Sequence, residues 1–227
     1  MNKVSVIMNS YNESEELFKR SVENILKNKN VNVELIVSTV DGDRCLDWIT
    51  DQRIKVAKLA KPGIFEQINN ATKFITGDFV TYASSNDIMH DDKLFIESEI
   101  LKKTKKKVCY SSFYKVNLDG TKIIKSFFNY NFEKHLKGNF VSDCAMTTAK
   151  IFQKYTPFKL KYGNHAFHDL WLRIYKHEGD VFTYNPNPTW TYVITENSSH
   201  QKRIKDDHKT FLNEVSRKKM ISDHIVI

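Results

Sequence analysis

With 227 residues, 41 % hydrophobic and 27 % charged, the chain has a globular composition large enough for one sizeable core, and no linker-like stretch divides it. Three cysteines, Cys45, Cys109 and Cys144, are odd in number and lack CxxC spacing, which argues against a disulfide framework or a zinc site. No apolar run forms a secretory leader or a membrane span, so a cytoplasmic location is expected, and the net charge of +8 admits an anionic partner or a lysine-rich solvated surface.

In chain order, "VSVIMNSYN" reads as a buried strand that opens into a polar loop. "ESEELFKRSVENILKN" follows as a helix with acids in its first turn, and "VNVELIVSTVDGD" as a second strand leading to an Asp-Gly turn, which together make a β-α-β unit. "RCLDWIT" suggests a short helix and "RIKVAK" a brief strand. "GIFEQINNATKFI" places Ile64, Ile68, Ala71 and Ile75 on one helical stripe closed by Gly77, before the strand "DFVTYAS". Strands alternating with helices imply an α/β domain with a mostly parallel sheet, which binds ligands beyond the carboxyl ends of its strands. Three such ends, residues 9–12, 39–43 and 84–87, converge on one crevice.

"TYASSNDIMHDD" drops from strand into amide and acidic side chains, which suit either caps for the next helix or oxygen ligands for a cation. The run "KKTKKK" follows an amphipathic helix, where cations favour the C-terminal dipole. "VCYSSFYKVNLDGTKIIKS" reads as two strands around an Asp-Gly turn, and the aromatic-rich stretch after it, to about residue 140, has no assigned structure. "NHAFHDLWLRIYKHEGD" is a helix with the i,i+4 pairs Leu170/Ile174 and Trp171/Tyr175, Asp169 at its start and Gly179 at its close. "NPNPTWTYV" suggests an extended, proline-stiffened connection, and residues 204–227 a basic helical tail that packs on the domain, makes an oligomer contact or lies on an anionic membrane.

Four blocks resemble the family 2 glycosyltransferases, inverting enzymes of the GT-A fold that use nucleotide-diphosphate sugars. "VSVIMNSYNES" is similar to the family's first strand and loop, "IVSTVDGD" to the strand end that usually carries a base-binding Asp, "PGIFEQINNATKFITGDFVTYASSND" to its most specific block, and "KYGNHAFHDLWLRIYKHEG" to the later block in which an acidic pair precedes "LWLR". The resemblance spans roughly residues 3–180 and implies a single Rossmann-like GT-A domain, 1–203, with a nucleotide-binding half to about 107 and an acceptor half from 108. It implies donor-binding roles for Ser10, Tyr11, Asn12, Thr39, Asp41, Gly63, Gln67, Asn69, Ser85 and Asn86. By the same resemblance Asp87 ligates Mn²⁺ or Mg²⁺ with His200 as a further ligand, Asp169 is the base, and His168 and Trp171 touch the acceptor.

The implied partners are a nucleotide-sugar donor, with UDP favoured, and a glycan or lipid-linked glycan acceptor, with peripheral membrane contact and no nucleic acid. Three positions depart from the family pattern: Asn86 replaces a carboxylate beside Asp87, Thr39 stands where a base-binding Asp is usual unless Asp41 takes its place, and His168 replaces the Glu beside Asp169. An amide oxygen still ligates hard cations but brings no charge, so cation binding would lean on the donor phosphates. Arg173, one turn beyond Asp169, faces either that carboxylate or donor phosphate. A sugar-1-phosphate nucleotidyltransferase would need a glycine-rich basic loop, whereas "MNSYNESEE" is acidic and has no glycine. A basic module that keeps the fold and has lost its chemistry, binding polysaccharide or nucleic acid, is the non-enzymatic alternative.

Overall fold

The computed structural model describes residues 1–194 and 207–225. Strands β1 (Asn2–Asn9), β2 (Val31–Val40), β3 (Ile54–Leu59), β4 (Phe79–Ala83), β6 (Val108–Ser111), β9 (Met146–Thr148) and β10 (Phe182–Asn185) form one sheet in the order β10-β6-β9-β4-β1-β2-β3. The β1–β2, β2–β3, β1–β4 and β6–β10 pairs are parallel, and β9 runs antiparallel between β4 and β6. This is the mostly parallel sheet read from the alternating pattern. Asn9 lies beside Ser38, and Met8 beside Ala83, so the ends of β1, β2 and β4 open on the same rim.

Both faces of β1 are buried, as its unbroken apolar run requires. Val4, Val6 and Met8 face helices α1 (Glu15–Leu26) and α3 (Lys93–Thr104), together with Phe18, Ile25, Leu94 and Leu101. Ile7 points the other way, towards Ile68 and Ala71 of α2 (Ile64–Ala71), and that layer continues through α5 (Ala149–Tyr155) and α6 (Ala166–Glu178). Ser14 caps α1 by accepting from the Leu17 N–H.

Gly77 does not close the helix before it: α2 ends at Ala71, and a 3-10 turn, Thr72–Phe74, follows. The glycine is needed for close approach instead, because a Cβ there would lie 2.7 Å from Ser5 N and 2.9 Å from Lys3 O.

The run after α3 splits between two sheets. β6 enters the main sheet, while β7 (Phe113–Val116) joins a second one, ordered β5-β11-β7-β8, with β5 (Ile88–Met89), β8 (Lys122–Lys125) and β11 (Trp190–Val193). β7 and β8 pair antiparallel around Asp119-Gly120, as expected. The segment read as a proline-stiffened connection contains β11, with Pro186 and Pro188 preceding the strand, where a missing N–H costs no ladder bond.

The unassigned aromatic stretch leads into α4 (Phe132–Lys137) and packs inward, with Tyr130 stacked on Phe182 at 3.9 Å. Helix α7 (Asp207–Ile225) lies against the 3-10 segment Leu160–His165, and buried Met220 packs with Tyr162 and Leu172. No helix among the described residues is long and apolar enough to cross a membrane.

Candidate active site

The crevice beyond β1 and β2 is stitched by one buried amide. Gln67 Nε2 donates to the carbonyls of Ser10 and Ser38 at 3.3 and 3.1 Å, and Ser38 Oγ donates to Gln67 O at 2.7 Å. The loop then turns through Asn12 at φ 55°, whose N–H reaches Asp43 Oδ2 at 3.2 Å. Asp43 also accepts from Cys45 N at 2.9 Å, so this carboxylate, and not Asp41, ties the two loops together. Asp41 is exposed on the rim and Tyr11 is 48 % exposed beside the crevice. Asn9 Oδ1 is buried without a hydrogen-bond partner among the described residues, which leaves a polar atom here for a ligand, while the Ser10 hydroxyl lies beside the buried Cys45 thiol.

Other expected donor contacts serve the scaffold. Thr39 is fully buried and its hydroxyl accepts from Cys45 Sγ. The Asn69 amide clamps the backbone of Phe158 through both its oxygen and its nitrogen. Gly63 is the N-cap of α2, in extended backbone.

Beyond β4 the Ser84–Asp87 turn is a tether rather than a helix cap, since α3 begins at Lys93 with Asp92 as its N-cap. Ser21 Oγ donates to Ser85 O, and Arg20 Nη2 donates to Asn86 O at 2.8 Å. Asn86 is already engaged: its Oδ1 accepts from Ser84 Oγ and its Nδ2 donates to Val193 O. Asp87 Oδ1 accepts from Val193 N at 3.2 Å, and no hydrogen bond or ion pair occupies its Oδ2 among the described residues. The β4 turn is thereby locked to β11 of the second sheet.

Asp87 lines a cavity of about 430 Å³ walled by Tyr82, Phe113, Phe127, Trp190 and Tyr192. The other carboxylate in this wall is Asp143, a residue that sequence reasoning missed. It sits in a turn closed by Ala145 N donating to Ser142 O at 3.0 Å. Cys144 O, next along, accepts from Lys93 Nζ at 2.9 Å and from Thr81 Oγ1 at 2.8 Å. Lys93 is fully buried and paired with Glu97, whose other oxygen accepts from Ser111 and Thr189.

Asp143 is exposed to the solvent of the cavity, and the protein around it raises its carboxyl pKa by desolvation. Desolvation likewise pushes Asp87 up to about 7; nearby Asp143 raises it further, while the Val193 hydrogen bond and Arg20 pull the other way. Asp87, with Oδ2 unoccupied beyond the end of β4, is a hard-oxygen donor suited to a divalent ion. Among the described residues no group of three His, Cys, Asp or Glu side chains could hold one alone.

The structure does not bring Asp169 to this cavity. It is fully buried in α6, accepts from Arg173 Nε at 2.7 Å and from His224 Nε2 at 2.9 Å, and has Lys159 Nζ at 3.6 Å. Burial alone would raise its pKa, but the His224 hydrogen bond and the Arg173 and Lys159 charges outweigh that and hold it below the ordinary carboxylate value. Arg173 therefore pairs with Asp169 and does not face phosphate.

His168 and Trp171, expected at the acceptor, are interior side chains exposed by 2 % and 0 %. His168 Nε2 donates to His135 O at 2.6 Å, and the N-cap of α6 is His165. His200 lies outside the described residues. Asp43 and Arg20 were also overlooked; "DGD" offered two carboxylates, and only the burial of one distinguishes them.

A family model described as Glycosyl transferase family 2 matches residues 5–169. The Escherichia coli UDP-Glc:alpha-D-GlcNAc-diphosphoundecaprenol beta-1,3-glucosyltransferase WfgD is 28 % identical over 186 residues, covering 76 % of this chain and 70 % of that protein. Among solved structures, S. aureus TarS 1–349 in complex with UDP matches with a TM-score of 0.71 at 15 % identity, over 98 % of this chain and 70 % of that one. The same TarS segment in complex with UDP-GlcNAc gives 0.70 at 16 % identity, over 98 % and 71 %. At such identities the structural likeness is one of fold.

Proposed function

Because the chain belongs to glycosyl transferase family 2 and has the GT-A fold, we propose that it moves a hexose from a UDP-sugar to a hydroxyl of a lipid-linked glycan, with inversion and a divalent cation. The observation that carries this reading is the junction of the two sites. Asp87 lies beyond the end of β4, and the next strand, β1, ends in the unpartnered Asn9 Oδ1, so nucleotide and diphosphate have polar groups along one continuous rim.

Tyr11, exposed beside Asn12, supplies a face for the base, and Asp43 holds the loop that presents it. Mn²⁺ or Mg²⁺ bound by Asp87 would offset the charge of the leaving diphosphate. The aromatic walls of the cavity suit the apolar faces of sugar rings. UDP-glucose as donor and a GlcNAc diphospholipid as acceptor are favoured by the likeness to WfgD, whose name specifies both. Such an acceptor would bring the protein to a membrane surface.

The alternative of a binding module without chemistry has less behind it. Lys102, Lys106 and Lys107 of the basic run are paired with Glu99, Asp180 and Glu178, which blunts that run as a polyanion site.

Thermal stabilisation by UDP, GDP, CMP and dTDP, each with Mn²⁺ or with EDTA, tests the reading. UDP with Mn²⁺ at ~100 times its dissociation constant should add about 2.7 kcal/mol. The gain should vanish in EDTA and in Asp87→Asn. Indifference to every nucleotide would overturn the assignment.

A further inference from the structure

We propose that Asp143 is the general base that takes the proton from the acceptor hydroxyl. The inference rests on the transferase reading above and concerns which carboxylate performs its proton transfer. A base must reach the hydroxyl it deprotonates, so geometry comes first. Of the two carboxylates that line the cavity, Asp87 stands at the β4 strand end and is tethered through Val193 N, which suits it to the diphosphate side. Asp143 faces the same space from a different element, the turn before β9, and has no hydrogen-bond or ion-pair partner among the described residues.

Its freedom is confined to the side chain. The backbone on its C-terminal side is fixed by Cys144 O, which receives Lys93 Nζ and Thr81 Oγ1, and on its N-terminal side Val141 and Phe140 are packed in the core. A carboxylate on a rigid turn with its lone pairs unspent is preorganised to accept a proton. Asp169 has neither property, because it is sealed from solvent and its oxygens are committed to Arg173 and His224.

The acceptor oxygen attacks the anomeric carbon and forms the new glycosidic bond, while the bond from that carbon to the diphosphate oxygen breaks and its electron pair leaves on the nucleoside diphosphate. The hydroxyl proton passes to an Asp143 carboxylate oxygen and is later lost to solvent. Asp143 thus touches the acceptor, and the aromatic wall formed by Phe113, Trp190 and Tyr192 places a sugar ring beside it.

The test follows UDP release from UDP-glucose with Mn²⁺, using a short-chain alkyl GlcNAc-α-diphosphate as acceptor and water as the default acceptor. Asp143→Asn should lower kcat by ~100-fold or more while the thermal stabilisation by UDP with Mn²⁺ is unchanged. Formate or azide should restore part of the activity of Asp143→Ala, a recovery that a purely structural role would not show. An Asn variant within about three-fold of wild type would overturn the proposal. So would loss of the UDP and Mn²⁺ response in that variant, which would make Asp143 a donor-side ligand. A wild-type protein that neither responds to UDP nor consumes UDP-glucose would remove the transferase reading itself, and this inference with it.

Discussion

His135 and His168 stack at 4.7 Å in the interior, and burial pushes them down to about 3 and about 4. Both are neutral in the fold near neutral pH, whereas the unfolded chain protonates them near 6.5. The unfolded state therefore binds more protons below that value, and each histidine lowers stability by up to about 1.4 kcal/mol per pH unit as the pH falls from 6.5 towards 4. Asp87 and Asp143 act in the opposite sense over part of this window, because their raised values favour the protonated fold. The wild-type slope is the sum, so the difference between variants isolates the histidine. His135→Phe, a near-isosteric change among Tyr130 and Phe140, should flatten the acid side of a urea-denaturation series between pH 7 and 4.5; an unchanged slope would show that His135 titrates normally. The same residues show what a sequence conceals at this scale. The position of Asp87 beyond a strand end was legible because a strand pattern leads directly into it. Asp143 follows "NFVS", with no periodic element to aim it, and only the fold sets its turn against β4. His168 and Trp171 carry the same residue types whether they face a sugar or a core, and the rotation of α6 decides between them.

At the scale of elements, α3 is joined to the cavity through one buried ion pair. Lys93 Nζ and Glu97 Oε2 lie 2.5 Å apart with side chains 1 % and 0 % exposed, and through them α3 touches β6 at Ser111, the approach to β11 at Thr189, and the Asp143 turn at Cys144 O. Desolvating both charges cancels much of their attraction, so the pair adds little net stability, but removing one partner strands the other. Lys93→Met should therefore cost roughly 3–5 kcal/mol in chemical denaturation. Adding Glu97→Leu should cost less than the sum of the single changes, because the stranded carboxylate is gone. Strict additivity would mean that the two groups are not coupled. β1 and β2 were readable from the chain as apolar runs because both faces of a strand must be buried in a helix-covered sheet, and α1 and α2 as stripes because each buries one face against it. The second sheet was not. β6 and β7 are separated by Ser112 alone and read as one strand, and nothing local reveals that the chain changes sheets there.

For the whole molecule, several lysines hold elements together. Lys107 and Lys154 converge on Glu178, Lys106 reaches Asp180, and Lys161 meets Asp223 of the C-terminal helix. The basic tail obeys the same logic: α7 lies along the 3-10 segment before α6, placing His224 Nε2 on Asp169, Asp223 Oδ2 against Tyr162 OH at 2.6 Å and Met220 in a small apolar cluster. That packing makes Asp169 a keystone between α6 and α7. A chain ending at residue 206 would leave a fully buried carboxylate short of one donor and uncover Tyr162 and Leu172, and losses of ~1–3 kcal/mol for the orphaned acceptor and a similar amount for the uncovered Met220 contact are expected. Its melting temperature should fall accordingly. Among the described residues no α7 side chain lines the Asp87 cavity or hydrogen-bonds the β1–β2 crevice, so the truncated protein should retain its stabilisation by UDP with Mn²⁺. If that response disappears while the shortened chain still melts cooperatively, α7 belongs to the working site and Asp169 transmits its position to the strand ends; if the response persists, the helix is a buttress, and the chemistry is confined to the rim where β1, β2 and β4 meet the second sheet.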